Sequence, residues 1–388
     1  MSYARRTHHL KPEGAYQVLG RAQSLEASGR KIIHLEIGEP DFQTFSNVSL
    51  AGIKAITQGL TRYTPPIGMK SLREVIAEDA GSRRGLEIHP DQVVVSPGAK
   101  PNLFFPVLSL IEPGDEVIYP NPGFPTYEAM IQVAGGIPVP VPLLESNSFS
   151  FDLEAFRRLV SDRTRMIIIN SPSNPTGGVI PLTDLEQIAA AAQRHNCWVM
   201  SDEIYARIVY DGRSVPSIAA LPGMSERTII VDGFSKTYAM TGWRLGFGIM
   251  PRDLADVVQL MLTHSVGSTA HFVQVAGIEA LTGPQEQVDR VVTEYQRRRD
   301  AIVAELNAIP GVTCQRPEGA FYVFPNIKSF GRTSSEIANL ILDEAGVAVL
   351  PGDAFGEYGE GYLRLVYSNS LENIQIAIDK IGKVLQLL

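Results

Sequence analysis

The sequence predicts an α/β fold, a large domain with a mostly parallel sheet between helices joined to a smaller α+β domain. Short apolar runs such as "RTRMIIIN", "CWVMSDE" and "RTIIVDG" alternate with helix-patterned stretches, the signature of a parallel sheet covered on both faces. The chain has 388 residues, enough for one large domain plus a smaller one. Past about Gly283 the pattern changes to a long charged helix followed by short strands. The large domain is placed at 45–285, and the small one at 1–44 together with 286–388.

Residues 14–28 read as an amphipathic helix stopped by Gly29. "KIIHLEIGEPDF" reads as a strand running into a Gly-Pro loop, and residues 69–84 as a helix. "QVVVSPGAK" reads as a buried strand, a turn and a helix start near Gly98. "GDEVIYP" is a strand, and "GFPTYEAMIQVAGG" a helix closed by Gly135 and Gly136. "RTRMIIIN" is a buried strand. "PLTDLEQIAAAAQRHN" is a helix with Thr183 or Asp184 near its start. "CWVMSDE", "RTIIVDG" and "RLGFGIM" are strands. Beyond them, "PQEQVDRVVTEYQRRRDAIVAELNAI" is the long helix, followed by "GVTCQRPEGAFYVFP", "GVAVLPG", "GYLRLVYS" and a final helix.

With 44% hydrophobic and 20% charged residues the chain can bury a core and is not disordered. A net charge of −8 argues against a general nucleic-acid or anionic-membrane binder, while leaving room for a local phosphate pocket. Cys197 and Cys314 lack metal-ligand spacing and read as reduced thiols of a cytoplasmic protein. "MSYARRTHHLKPEG" has no apolar core of the signal-peptide kind. His8 and His9 make neither a tag nor a metal site. The longest apolar run, "LFFPVLSLI", is interrupted by Pro106 and falls short of the roughly 20 residues of a membrane span.

Ligands of open α/β sheets bind beyond the carboxyl ends of the strands. Four such ends carry unusual residues: Gly98–Lys100 after "VVVSP", Asn174 after "MIIIN", Asp202 at the end of "CWVMSD", and Lys236 after "TIIVDG". Each alone has an ordinary reading as a turn, a cap or a solvated lysine. Together they describe one crevice. A lysine in an apolar pocket near a second cation has a depressed pKa and is a good amine nucleophile, able to form a Schiff base with an aldehyde. Pyridoxal phosphate (PLP) is an aldehyde cofactor that wants an acidic partner at its ring nitrogen and a cationic cup for its phosphate. Asp202 can hold the nitrogen. Arg244, eight residues after Lys236, can bind the phosphate bidentately. The amides of Gly98, Ala99 and Lys100 and the hydroxyl of Ser235 complete the cup.

These residues bring a family into view. The chain resembles the PLP-dependent class I/II aminotransferases of fold type I, the aspartate aminotransferase family, over essentially its whole length. The markers stand in order: "IGEPDF" at 37–42, "YTPPIGMKSLREVIA" at 63–77, "SPGAK" at 96–100, "NPGFPTY" at 121–127, "NSPSNPTG" at 170–177, "SDEIY" at 201–205, "FSKTYAMTGWRLG" at 234–246 and "YLRLVYS" at 362–368. The resemblance implies a seven-stranded, mostly parallel sheet and the transfer of an amino group between an L-amino acid and a 2-oxo acid, with glutamate and 2-oxoglutarate as one pair. It makes Lys236 the catalytic lysine, which moves the substrate's α-proton. Asp202 pairs with the pyridinium nitrogen, and Tyr205 and Asn174 bond the ring's phenolic oxygen. Phe124 stacks on the ring, Arg364 grips the substrate α-carboxylate, and Gly38 closes over the substrate, which Phe124 and Asn174 also touch. Tyr63 reaches the phosphate from the neighbouring subunit of a homodimer.

Gly233 replaces a serine that some members place three residues before the lysine, leaving more of the phosphate to Ser235 and Arg244. The segment "THSVGSTAHF" holds no arginine for a distal carboxylate, and its His264 and His271 read as structural or pocket-lining. Phe124, Tyr16, Phe321 and Tyr322 would shape an apolar side-chain pocket, favouring alanine, branched or aromatic amino acids, with aspartate the family's other choice. A carbon–sulfur β-lyase shares all these motifs. A PLP-binding regulator is disfavoured because the segment before "IGEP" is too short for a DNA-binding module. No GxGxxG follows the first strand, and "SKT" at 235–237 lacks a P-loop's glycine-rich lead.

Overall fold

The computed structural model describes residues 3–8 and 10–388; His9, of the His8–His9 pair, lies outside the described residues. The large sheet runs in the order Val93–Ser96, Gly246–Ile249, Thr228–Gly233, Trp198–Asp202, Thr164–Asn170, Glu116–Asn121, Ile137–Leu144, Ser150–Phe151. It therefore has eight strands rather than the seven expected. The additional one is the two-residue edge Ser150–Phe151, antiparallel to Ile137–Leu144. Such a stub is too short to carry a strand-length periodicity in the sequence. Gly246–Ile249 is antiparallel to both of its neighbours, and the other interior pairings are parallel.

Apart from exposed Arg165 and half-buried Trp198 near their starts, the central strands are buried, which explains their apolar runs. One helical layer packs Leu103, Val107, Tyr127, Met130, Leu254 and Val258 on one face. Leu185, Ile188 and Ala192 pack in a second cluster, and Leu72, Ile76, Val273 and Ala276 in a third. Helix Lys100–Leu110 runs through Pro106, so that residue interrupts the apolar run in sequence but not the helix. Helix Leu182–Arg194 is preceded by Pro181 with no side-chain cap. Asp184, expected near a cap, instead accepts from Ser150 Oγ at 2.6 Å and fastens the edge strand to the helix.

The strand expected in "KIIHLEI" contracts to Ile33–His34, pairing in parallel with Val347–Ala348. Leu363–Val366 is flanked by Tyr322–Val323 and Leu350–Pro351, both antiparallel to it. Helices Glu286–Asn307 and Leu371–Leu385 pack on these strands in an apolar cluster that also takes in Tyr205, Ile208 and Tyr210 from beyond the strand Trp198–Asp202. That cluster therefore reaches directly to the carboxyl end of the large sheet. Both cysteines are free and buried. No helix among the described residues is long and apolar enough to cross a membrane.

Candidate active site

The strand register gathers the site. Ser96 and Gly233 both pair with Gly246, and Asn170 pairs with Asp202. The turn at 97–100, the ends at Asn170 and Asp202, the Gly233–Lys236 segment and Arg244 consequently share one edge. A cavity of about 540 Å³ opens there. Of the residues singled out in the sequence, Gly38, Ala99, Lys100, Phe124, Asn174, Asp202, Tyr205, Ser235, Lys236, Arg244 and Arg364 line it.

Lys236 donates from Nζ to the carbonyl of Gly38 at 2.5 Å, and its Nζ lies 5.9 Å and 5.7 Å from the ring centres of Tyr205 and Phe321. Burial pushes its pKa down to about 8. Glu39 and Asp202 pull the other way, while Arg364 and Arg244 add to the depression. Asp202 is buried. Its Oδ2 accepts from Tyr127 Oη at 2.7 Å and its Oδ1 from the Ile204 amide at 3.2 Å. Burial raises it to about 6, against those two hydrogen bonds and with help from the charges of Asp232 and Glu203.

Tyr205 and Tyr322 share a hydrogen bond of 2.5 Å between their hydroxyls, and burial holds both phenols above their ordinary pKa. Arg364 is buried. It donates to Asn174 Oδ1 at 3.3 Å and to the Glu36 carbonyl, its guanidinium carbon lies 4.8 Å from the Tyr322 ring centre, and Nε has no partner among the described residues. A buried guanidinium with an unmet donor is prepared for an anion.

Arg244 is exposed and donates from Nη1 to Thr241 O at 2.9 Å. Its φ of 56° is left-handed, which costs a non-glycine residue on the order of 1–3 kcal/mol. Gly98 has φ 81°, and a Cβ there would strike the Arg244 guanidinium. The turn can thus approach the arginine only with glycine at that position. Gly98 itself stands just behind the lining. Lys100 opens helix Lys100–Leu110. Its ammonium pairs with Glu13 and lies 5.2 Å from the Phe124 ring centre.

Other expectations are placed differently. Tyr63 is 99% exposed and does not line the cavity. His264 and His271 lie at helix ends outside it. Phe321 is buried behind it, whereas Tyr16 and Tyr322 line it. The sequence reading assigned nothing to Tyr127, Glu13, Ile37, Glu39, Asn170 or Thr241, which also line it. The segment "NPGFPTY" was the available pointer to Tyr127.

The family model for aminotransferase class I and II matches residues 30–381. The aspartate aminotransferase of Pyrococcus abyssi is 42% identical, over 93% of this chain and 93% of its own. An aromatic-amino-acid aminotransferase of Thermococcus litoralis is 38% identical, over 100% of this chain and 99% of its own. The solved aspartate aminotransferase of Thermus thermophilus with maleate superposes with a TM-score of 0.94 at 36% identity, covering 99% of this chain and 100% of that one. With its sheet, its cavity and these matches along the whole length, the chain belongs to the class I and II aminotransferases.

Proposed function

We propose that the chain moves the amino group with pyridoxal phosphate, and that the residues lining the 540 Å³ cavity divide the work. The observation that carries this is the pairing of Lys236, an amine lowered to about 8, with the buried carboxylate of Asp202 in one cavity. The donor set fits the cofactor. Gly98 clears space for an exposed guanidinium at a helix start, which suits a phosphate. Asp202 suits a ring nitrogen, and Tyr205 with Asn174 a phenolic oxygen. When bound, the cofactor supplies the electron sink.

The chain supplies the rest. Lys236 takes the α-proton and returns it, and an amine near 8 is partly neutral at neutral pH, as a base must be. Arg364 holds the α-carboxylate at the Asn174 side, and Gly38, packed close to Tyr322, closes over the substrate. The backbone amides of Ala99 and Lys100, with Ser235 and Arg244, hold the phosphate, and Phe124 covers one face of the ring.

A homodimer accounts for Tyr63. It is fully exposed, and helix Ser46–Thr57 ahead of it presents Leu50, Ile53 and Ile56 to solvent. The two free buried cysteines suit a reducing compartment, the cytoplasm, and the division at 45–285 against 1–44 and 286–388 leaves the cavity at the seam. For the substrate side chain, Tyr16 and Ile37 offer apolar wall and Lys100 a cation held by Glu13, so both neutral and acidic amino acids have a partner. The relatives named for aspartate and for aromatic substrates agree with that range.

The test is a visible spectrum of the protein with PLP, followed by single amino acids. A bound-cofactor band that glutamate, aspartate or an aromatic amino acid bleaches, with release of the matching 2-oxo acid, supports the reading and ranks the substrates. Absence of any bound band, or release of ammonia and pyruvate from cysteine-type substrates in place of transfer, overturns it.

A further inference from the structure

Behind the cavity wall lies a buried charge cluster that takes no part in the lining. Arg84 ends helix Lys70–Arg84 with 4% of its side chain exposed. Its Nε donates to Glu203 Oε2 at 2.7 Å and its Nη2 to Asp232 Oδ2 at 2.8 Å. The second oxygen of Glu203 accepts from Ser201 Oγ at 2.9 Å and Ser217 Oγ at 2.7 Å. The second oxygen of Asp232 accepts the Gly233 amide at 2.7 Å. Arg83 stands 3.7 Å from Asp232, but its guanidinium is committed to Asp79 at 2.6 Å.

Both carboxylates adjoin the site through the chain. Glu203 follows Asp202, and Asp232 precedes Lys236 by four residues on the neighbouring strand, where Val231 pairs with Asp202. Asp202 therefore has two buried negative neighbours, and each favours its protonated form. From the other elements it faces the hydroxyls of Tyr127, Tyr205 and Tyr322 and the ammonium of Lys236. Arg84 is the buried cation bonded to both of the opposing carboxylates. Removing one member of a buried ion cluster leaves its partners' charge uncompensated.

We propose that Arg84 is a positioning residue for amino transfer: by cancelling Glu203 and Asp232 it keeps Asp202 a carboxylate at neutral pH, ready for the ring nitrogen of the cofactor. The proposal rests on the PLP reading. It makes a signed claim that simple structural support does not. Loss of Arg84 and loss of Glu203 shift Asp202 in opposite directions, and losing both restores it.

The experiment measures the dissociation constant of PLP from the cofactor-free full chain between pH 5 and 8, by quenching of protein fluorescence. Asp202→Asn defines how much of the pH dependence belongs to that carboxylate. In wild type the Asp202-dependent tightening is centred near pH 6. Arg84→Gln moves it up by about one unit, roughly five-fold weaker binding at pH 6. Glu203→Gln moves it down, Arg84→Gln/Glu203→Gln returns it toward wild type, and Arg84→Lys keeps it near wild type. If Arg84→Gln does not fold, Glu203→Gln alone carries the sign. Binding that weakens equally at all pH in both single variants, or a double variant worse than either, overturns the proposal. So does a Glu203→Gln step that stays in place. Wild type that binds no PLP fails the cofactor reading itself and takes this proposal with it.

Discussion

The hydroxyl of Tyr127 donates to Oδ2 of Asp202 at 2.7 Å, a charge-assisted bond with both partners buried. It stabilises the ionised carboxyl against burial, which drives the group up to about 6. Tyr127→Phe therefore raises the pKa of Asp202 further and weakens PLP binding most below neutral pH, by about ten-fold or more at pH 6. Titrating cofactor affinity against pH checks this. A profile that falls by the same factor at every pH would show that the hydroxyl acts only through packing.

Tyr127 also marks where sequence reading stops. Lys236, Asp202, Asn174 and Gly98 were legible because each ends or follows an apolar strand, and strand order alone brings such ends to one edge. Tyr127 lies on a helix 75 residues from Asp202 in sequence, and nothing local announces that contact. The pairing of Glu13 with Lys100 spans 87 residues and is equally silent. Short elements were lost for another reason. Ile33–His34 and Ser150–Phe151 are two residues each, held by their neighbours rather than by their own pattern. Helix Ser46–Thr57 went unseen because it exposes Leu50, Ile53 and Ile56, which blurs its apolar stripe.

Lys236→Met abolishes amino transfer, a loss beyond the 10² to 10⁴ typical of positioned proton transfer alone. It also changes stability in a pH-dependent way. The folded-state pKa of about 8 lies below the ordinary lysine value, so the charged amine opposes folding. That penalty is complete below pH 8 and fades as pH rises toward the unfolded value near 10.4. Cofactor-free Lys236→Met is then more stable than wild type at pH 7, by on the order of 1–3 kcal/mol, with the advantage vanishing above about pH 10. Thermal or denaturant melts at pH 7 and 10 read this directly. An equal difference at both would rule out a lowered amine.

Arg364→Lys keeps a charge but loses the planar fork, and it leaves Asn174 and the Glu36 carbonyl with a mismatched partner. Affinity for every α-amino acid falls together, with kcat/KM down about 10²-fold and mainly through KM. A truncated amine without the carboxylate should lose little more in the variant. Steady-state kinetics with an amino acid and its decarboxylated analogue separate the cases. If both substrates suffer alike, Arg364 serves the fold and not the carboxylate.

Glu13 and Lys100 make the most specific claim about substrate choice. Among the described residues four cations line the cavity: Lys236, Arg244, Arg364 and Lys100. In the proposed function the first three serve proton transfer, phosphate and α-carboxylate. Lys100 is left for a side chain, but Glu13 already holds it, so an acidic side chain must compete with a resident carboxylate. The pair is partly exposed, with side-chain accessibilities of 50% and 29%, which keeps the competition mild. Glu13→Gln releases the ammonium and raises kcat/KM for aspartate relative to phenylalanine by about two- to five-fold, more at low ionic strength than at high. Lys100→Gln moves the same ratio the other way. Competition assays with both amino acids present measure the ratio without depending on enzyme concentration. A ratio indifferent to both substitutions would mean that the acidic side chain, if accepted at all, is held by something other than Lys100.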